Sequence, residues 1–84
     1  MNDKTLFSVT LPATGKSYDF WVPNSMCMID VNRLVAEAMQ TVEPDYFIGS
    51  DDSALMYLRT GQLQNPAATV GEIGFTDGEK FVLV

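Results

Sequence analysis

Residues 5–11 alternate strictly, with Phe7, Val9 and Leu11 on one side and Ser8 and Thr10 on the other. A period of two marks a half-buried strand. Residues 12–16 form a turn in which Gly15 supplies the positive φ that reverses the chain. Residues 17–22 alternate again, Tyr18, Phe20 and Val22 opposing Asp19 and Trp21. Asp19 belongs in water, and the pleat then sends Trp21 to the same side. A register shifted by one residue, or an indole folded against its own hairpin, would bury that ring instead. Beyond Pro23 the period changes. Val31, Leu34, Val35, Ala38, Met39 and Val42 recur at helical spacing. Asn24 or Ser25 is placed to cap this helix, which must stop before Glu43–Pro44 because proline disfavours helical geometry in its predecessor. The opposite face carries Asp30, Arg33, Glu37 and Gln40. It is not basic, so packing on a sheet is expected rather than adsorption to a membrane.

Residues 45–53 read as a loop whose Tyr46, Phe47 and Ile48 offer one or two plugs for the end of the core. Residues 54–59 form a third strand. With Arg59 assigned to solvent, period two puts Leu55 and Tyr57 outward and Met56 and Leu58 inward. Thr60–Gly61 is a tight turn, and a short strand at 62–64 points Leu63 into the core. After a connection at 64–68, Thr69 and Glu72 form a T-x-x-E capping box, leaving Val70 and Ile73 to the core. A turn over 76–78 leads to a last strand, 80–84, with Phe81 and Leu83 inward and Val82 and Val84 outward. The expected architecture is α+β, one domain over 1–84. A mixed sheet of four to five strands packs on one main helix, with a short helical turn before the last strand.

Composition removes several function classes. At 84 residues and 46% hydrophobic, the chain can bury one core without a disulfide scaffold. The single cysteine, Cys27, sits among Met26, Met28 and Ile29 and reads as a small hydrophobe rather than a nucleophile. The absence of histidine removes Cys–His catalysis and His-based metal sites. A net charge of −6, with Lys4, Lys16, Arg33, Arg59 and Lys80 dispersed, argues against nucleic acid as a partner. Glu43, Asp45, Asp51 and Asp52 gather acidity, but their spacing fits no calcium loop and reads as a solvated segment. No residue pair stands at a spacing that suggests acid–base chemistry, which leaves only carboxylates brought together from distant segments. Neither catalytic residues nor a metal or cofactor are expected. The polar start at 1–4 has no secretory character, and no apolar run approaches the ~20 residues that cross a bilayer. A cytoplasmic protein without membrane insertion is expected, in place or beside a membrane complex.

The order strand, strand, helix, strand, strand, short helix, strand resembles ubiquitin and its β-grasp relatives over essentially the whole chain. The hairpin turn at 14–16, the strand ending Val22–Pro23 and the helix positions Val31, Leu34 and Val35 all have counterparts there. The most specific match is T-G-Q-L at 60–63 followed by T-V-G-E-I-G-F-T-D-G-E at 69–79. Conjugated members and sulfur carriers of that superfold end in Gly-Gly. This sequence ends Val82–Leu83–Val84, so a carrier role would require a tail beyond it. A β-grasp ferredoxin would need four cysteines. Among the remaining branches the chain resembles the YukD/EsaB family of bacterial proteins associated with type VII (WXG100) secretion. That resemblance rests on length and on the pattern running from Ile73 to Leu83. It implies a non-catalytic accessory or regulatory module whose protein partner is a secretion membrane or ATPase subunit. The sheet face away from the helix is the expected docking surface, carrying Trp21, Leu55, Tyr57, Arg59, Val82 and Val84 with Ser8 and Thr10. Trp, Tyr and Arg are the residue types enriched in interface hot spots. The same face would serve a homodimer.

Overall fold

A computed structural model describes residues 3–49 and 53–84. The elements run β1 (Lys4–Leu11), β2 (Lys16–Pro23), α1 (Met28–Val42), β3 (Leu55–Tyr57), β4 (Gln62–Leu63), α2 (Val70–Ile73) and β5 (Glu79–Leu83). The sheet order is β2-β1-β5-β3-β4. β1 lies antiparallel to β2 and parallel to β5, while β3 lies antiparallel to both β5 and β4. The parallel pair at the centre demands a long crossover, which α1, β3, β4 and α2 provide.

One face of this sheet is the core. Phe7, Val9 and Leu11 from β1, Val22 from β2, and Phe81 and Leu83 from β5 are buried together. Against them lies the α1 stripe of Met28, Val31, Val35 and Met39, with Val70 from α2. Phe7 stacks on Phe81 at 4.3 Å between centroids, and Phe75 meets both rings edge-on at 5.3 and 5.2 Å. Such pairs add to simple area burial because ring edges and faces carry opposite partial charge. Of the three candidate plugs in the 45–53 loop, Phe47 packs on the core, while Tyr46 and Ile48 are exposed. The helical stripe is narrower than the sequence pattern implied: Leu34 and Val42 lie at its margins and are exposed.

The start of α1 also departs from expectation. Neither Asn24 nor Ser25 caps it. Cys27 occupies the cap position in extended conformation, with no side-chain capping bond. The first amides of the helix are instead met by backbone carbonyls from the far connection: Met28 N–H donates to Ala68 O at 2.9 Å and Ile29 N–H to Pro66 O at 3.1 Å. In return, Val70 N–H donates to Met26 O and Gly71 N–H to Asn24 O, at 3.0 and 2.9 Å. Two helix starts thus satisfy their orphan donors on each other's approach segments. The approach is close enough that a β-carbon on Gly71 would sit 3.2 Å from Asn24 O, which explains glycine inside so short a helix. α2 additionally has the expected capping box, Thr69 Oγ1 accepting from Glu72 N–H and Glu72 Oε1 from Thr69 N–H.

Candidate protein-docking face

The outer face of the sheet is read directly from its register. Trp21 lies opposite Leu6, then Asp19 opposite Ser8, which neighbours Lys80. The next row is Ser17, Thr10, Val82, Met56 and Leu63. Trp21 is 55% exposed, as its opposition to Tyr18 and Phe20 required. The apolar surface therefore comes in two spots: Trp21 with Leu6 at one corner, and Val82, Met56 and Leu63 towards the β4 edge. The polar row Asp19–Ser8–Lys80 runs between them. Four residues of strand separate the two, about 13 Å along the sheet. Val84, one residue past the end of β5 and paired through its backbone with Ala54, is exposed as well. A partner engaging both spots must span the polar row.

Two of the expected docking residues lie on the opposite side. Leu55 is 1% exposed and belongs to the core, and Tyr57 packs against it, 5.4 Å from Phe81 and 5.3 Å from Phe75. Their places on the outer face are taken by Met56 and by Leu63, which is 58% exposed rather than buried. Leu58 is exposed as well, its amide donating to Lys80 O at 3.0 Å. The error has one cause. Residues 55–58 are apolar in both phases, so Arg59 alone set the phase. β3, however, ends at Tyr57, and 58–60 already belong to the turn. Period-two geometry does not extend past the last ladder residue. The signal that would have corrected it was Thr60–Gly61, whose turn needs a residue or two of approach.

Arg59 is displaced from the docking face into a polar cluster. Its guanidinium lies 5.9 Å from the Tyr57 ring centroid and 3.6 Å from Glu79 Oε1. Glu79 is 9% exposed and accepts hydrogen bonds from Thr76 Oγ1 and the Tyr57 hydroxyl, both at 2.8 Å. Those two donors, Thr76 first and then Tyr57, hold its carboxyl below the ordinary value, with Arg59 adding to the effect and burial opposing it. A second carboxylate, Glu43 at the end of α1, accepts from the Tyr18 hydroxyl at 2.6 Å and pairs with Lys16 at 3.5 Å. Tyr18 chiefly, then Lys16, lowers its pKa against opposing burial. Both tyrosines are pushed up, each mainly by the carboxylate that accepts its proton.

These shifts predict the pH profile. A carboxyl whose folded pKa is depressed stabilises the fold above its ordinary value of 4.5, and that stability is lost as pH falls through the folded value. A tyrosine raised above 10.0 contributes below that value and loses its contribution as pH rises through the folded one. Thermal midpoints followed by circular dichroism should form a plateau between these limits and drop on both sides. Glu79→Gln should flatten part of the acid limb. An acid limb unchanged in Glu79→Gln would mean this carboxylate carries none of it.

Nothing in these clusters forms a catalytic arrangement. Glu43 and Glu79 belong to separate clusters, each committed to hydroxyl donors. Among the described residues no group of three or more His, Cys, Asp or Glu side chains lies together. Asp51 and Asp52, half of the acidic segment noted in the sequence, lie outside the described residues. No helix among the described residues is long and apolar enough to cross a membrane.

This is the ubiquitin-like β-grasp fold, with its mixed five-stranded sheet and one main helix. The chain is similar in structure to the EccD5 ubiquitin-like domain from Mycobacterium xenopi, at a TM-score of 0.81 and 9% identity over 99% of this chain and 94% of that one. It is similar also to the ubiquitin-like domain of the Mycobacterium tuberculosis type VII secretion system protein ECCD1, at 0.73 and 14% over 100% and 99%. A ubiquitin from Caldiarchaeum subterraneum matches at 0.72 and 22% over 95% and 90%. No protein-family model and no curated protein matches the chain.

Proposed function

We propose that the chain is a non-catalytic protein-binding module, an accessory or regulatory component of a type VII-like secretion system of the YukD/EsaB kind. It docks through the outer face of its sheet. The observation that carries the docking role is the apolar row of exposed Leu63 with half-buried Val82 and Met56, on a face that no helix among the described residues covers, with Trp21 and Leu6 as a second contact and Val84 exposed near the first. Apolar surface rimmed by polar residues is the form an interaction site takes. The likeness to the ubiquitin-like domain of the type VII secretion system protein ECCD1 favours that machinery as the setting.

The test is capture from native cytoplasm and solubilised membranes by wild type, Met56→Ser/Val82→Ser and Trp21→Ala. Wild type is expected to retain a secretion channel subunit or ATPase. The double variant, still folded, should lose roughly tenfold or more of that binding, as interface anchors do. Retention of an adenylating enzyme would replace this reading with that of a carrier. Sedimentation of wild type as a dimer that the double variant dissociates would make a second copy the occupant.

A further inference from the structure

On the helix side of the sheet, at its β4 edge, a groove of about 510 Å³ runs between β4 and the segment from α2 into β5. Tyr57, Ile73 and Phe75 give it apolar walls, Gln62 and Gln64 line it along the edge strand, and Glu79 stands in it with Arg59. Tyr57 and Glu79 have the inward phase of their strands, so this groove is distinct from the outer face. We propose that it is a second peptide site, which receives an arginine or lysine side chain from an extended partner segment. The incoming cation takes the place that the chain's own Arg59 holds against Glu79.

The chemistry of the walls selects the cation. Glu79 is almost buried, and its carboxylate is fixed by two hydroxyl donors, so a charge stands preorganised in the groove. Arg59 meets that charge loosely: 3.6 Å is well beyond the ~2.7–2.9 Å of a charge-assisted hydrogen bond, and its side chain is 73% exposed. It also lies towards the face of Tyr57, where a guanidinium is attracted to the ring. Arg59 thus marks the position of a cation between a carboxylate and an aromatic ring, held by an exposed ion pair that costs little to exchange. An acidic ligand would meet Glu79 directly behind Arg59, in a chain of net charge −6. A basic ligand meets attraction from both. The inference goes beyond the sheet-face reading and holds or fails independently of it.

The test is a titration of the whole isotope-labelled chain with acetyl-Val-Arg-Val-amide, and with acetyl-Val-Glu-Val-amide beside it, followed by amide chemical shifts. The arginine peptide should give saturable shifts at Gln62, Gln64, Phe75 and Thr76, and the glutamate peptide none. Arg59→Ala removes the internal competitor and should tighten the arginine peptide roughly two- to fivefold, the range an exposed ion pair spans. Glu79→Gln should weaken it. Because Arg59 is exposed, the Arg59→Ala arm does not depend on the fold surviving loss of Glu79. Weaker binding in Arg59→Ala, or shifts from the glutamate peptide alone, would overturn the proposal and make Arg59 an anion anchor. No saturable shift from either peptide up to about 10 mM, tenfold above a millimolar Kd, would remove the groove as a site.

Discussion

Phe81→Ala is expected to lower stability by about 3–5 kcal/mol, the cost of deleting a fully buried ring that its surroundings cannot refill. Phe81 has no exposed surface and touches three aromatic neighbours, Phe7, Tyr57 and Phe75, within 5.4 Å. It also sits in the β5 strand that joins the two halves of the sheet, opposite Val9 on one side and Tyr57 on the other. A small domain holds roughly 0.05–0.15 kcal/mol per residue, about 4–13 kcal/mol for an 84-residue chain, so this single change removes from roughly a quarter to all of it. Thermal melts should show a drop of roughly 12–40 °C. Val84→Ala, one step beyond the same strand and exposed, should stay within about 0.5 kcal/mol. A Phe81→Ala loss no larger than that of Val84→Ala would mean the aromatic cluster does not carry the core.

Leu55→Ala and Leu63→Ala form the second contrast. Leu55 is buried among core side chains and its removal should cost about 2–5 kcal/mol. Leu63, paired with Met56 on the outer face, should cost about 0.5 kcal/mol or less. Chemical denaturation measures both. Equal losses, or the reverse order, would restore the opposite phase for β3 and return Leu55 and Tyr57 to the docking face.

That contrast marks where the sequence was legible and where it was not. β1, β2 and β5 each carry a polar residue inside an otherwise apolar alternation, Ser8 or Thr10, Asp19, and Lys80, and their faces read correctly. So did Trp21, because Asp19 is its phase partner two residues away. β3 has no such internal marker. Its three ladder residues are Leu55, Met56 and Tyr57, all compatible with either face, so a residue outside the ladder decided the reading. β4, two residues long, inherits its phase from β3 through pairing and shared the error. The outer face of the sheet was therefore visible in its Trp21 and Val82 part and hidden in its Met56 and Leu63 part. The Glu79 cluster was hidden for another reason. Tyr57, Arg59, Thr76 and Glu79 come from two segments that only the β3–β5 ladder brings together.

The paired helix starts bear on the order in which the chain folds. The bonds that replace a side-chain cap on α1 join residues about forty positions apart, Met28 to Ala68 and Ile29 to Pro66. Closing a loop of that length costs entropy before any of those bonds form. The first amides of α1, at Met28 and Ile29, therefore have no local acceptor, unlike those of a helix with its own Ser or Asp cap. Its later turns and the β1–β2 hairpin, all local contacts, are free to form earlier. In pulse-labelled hydrogen exchange during refolding, the amides of Met28, Ile29, Val70 and Gly71 should become protected together, and after those of Val35 and Met39. Both helix starts would then behave as one late-closing clasp, tying the ends of the crossover together only once the sheet that it spans is in place.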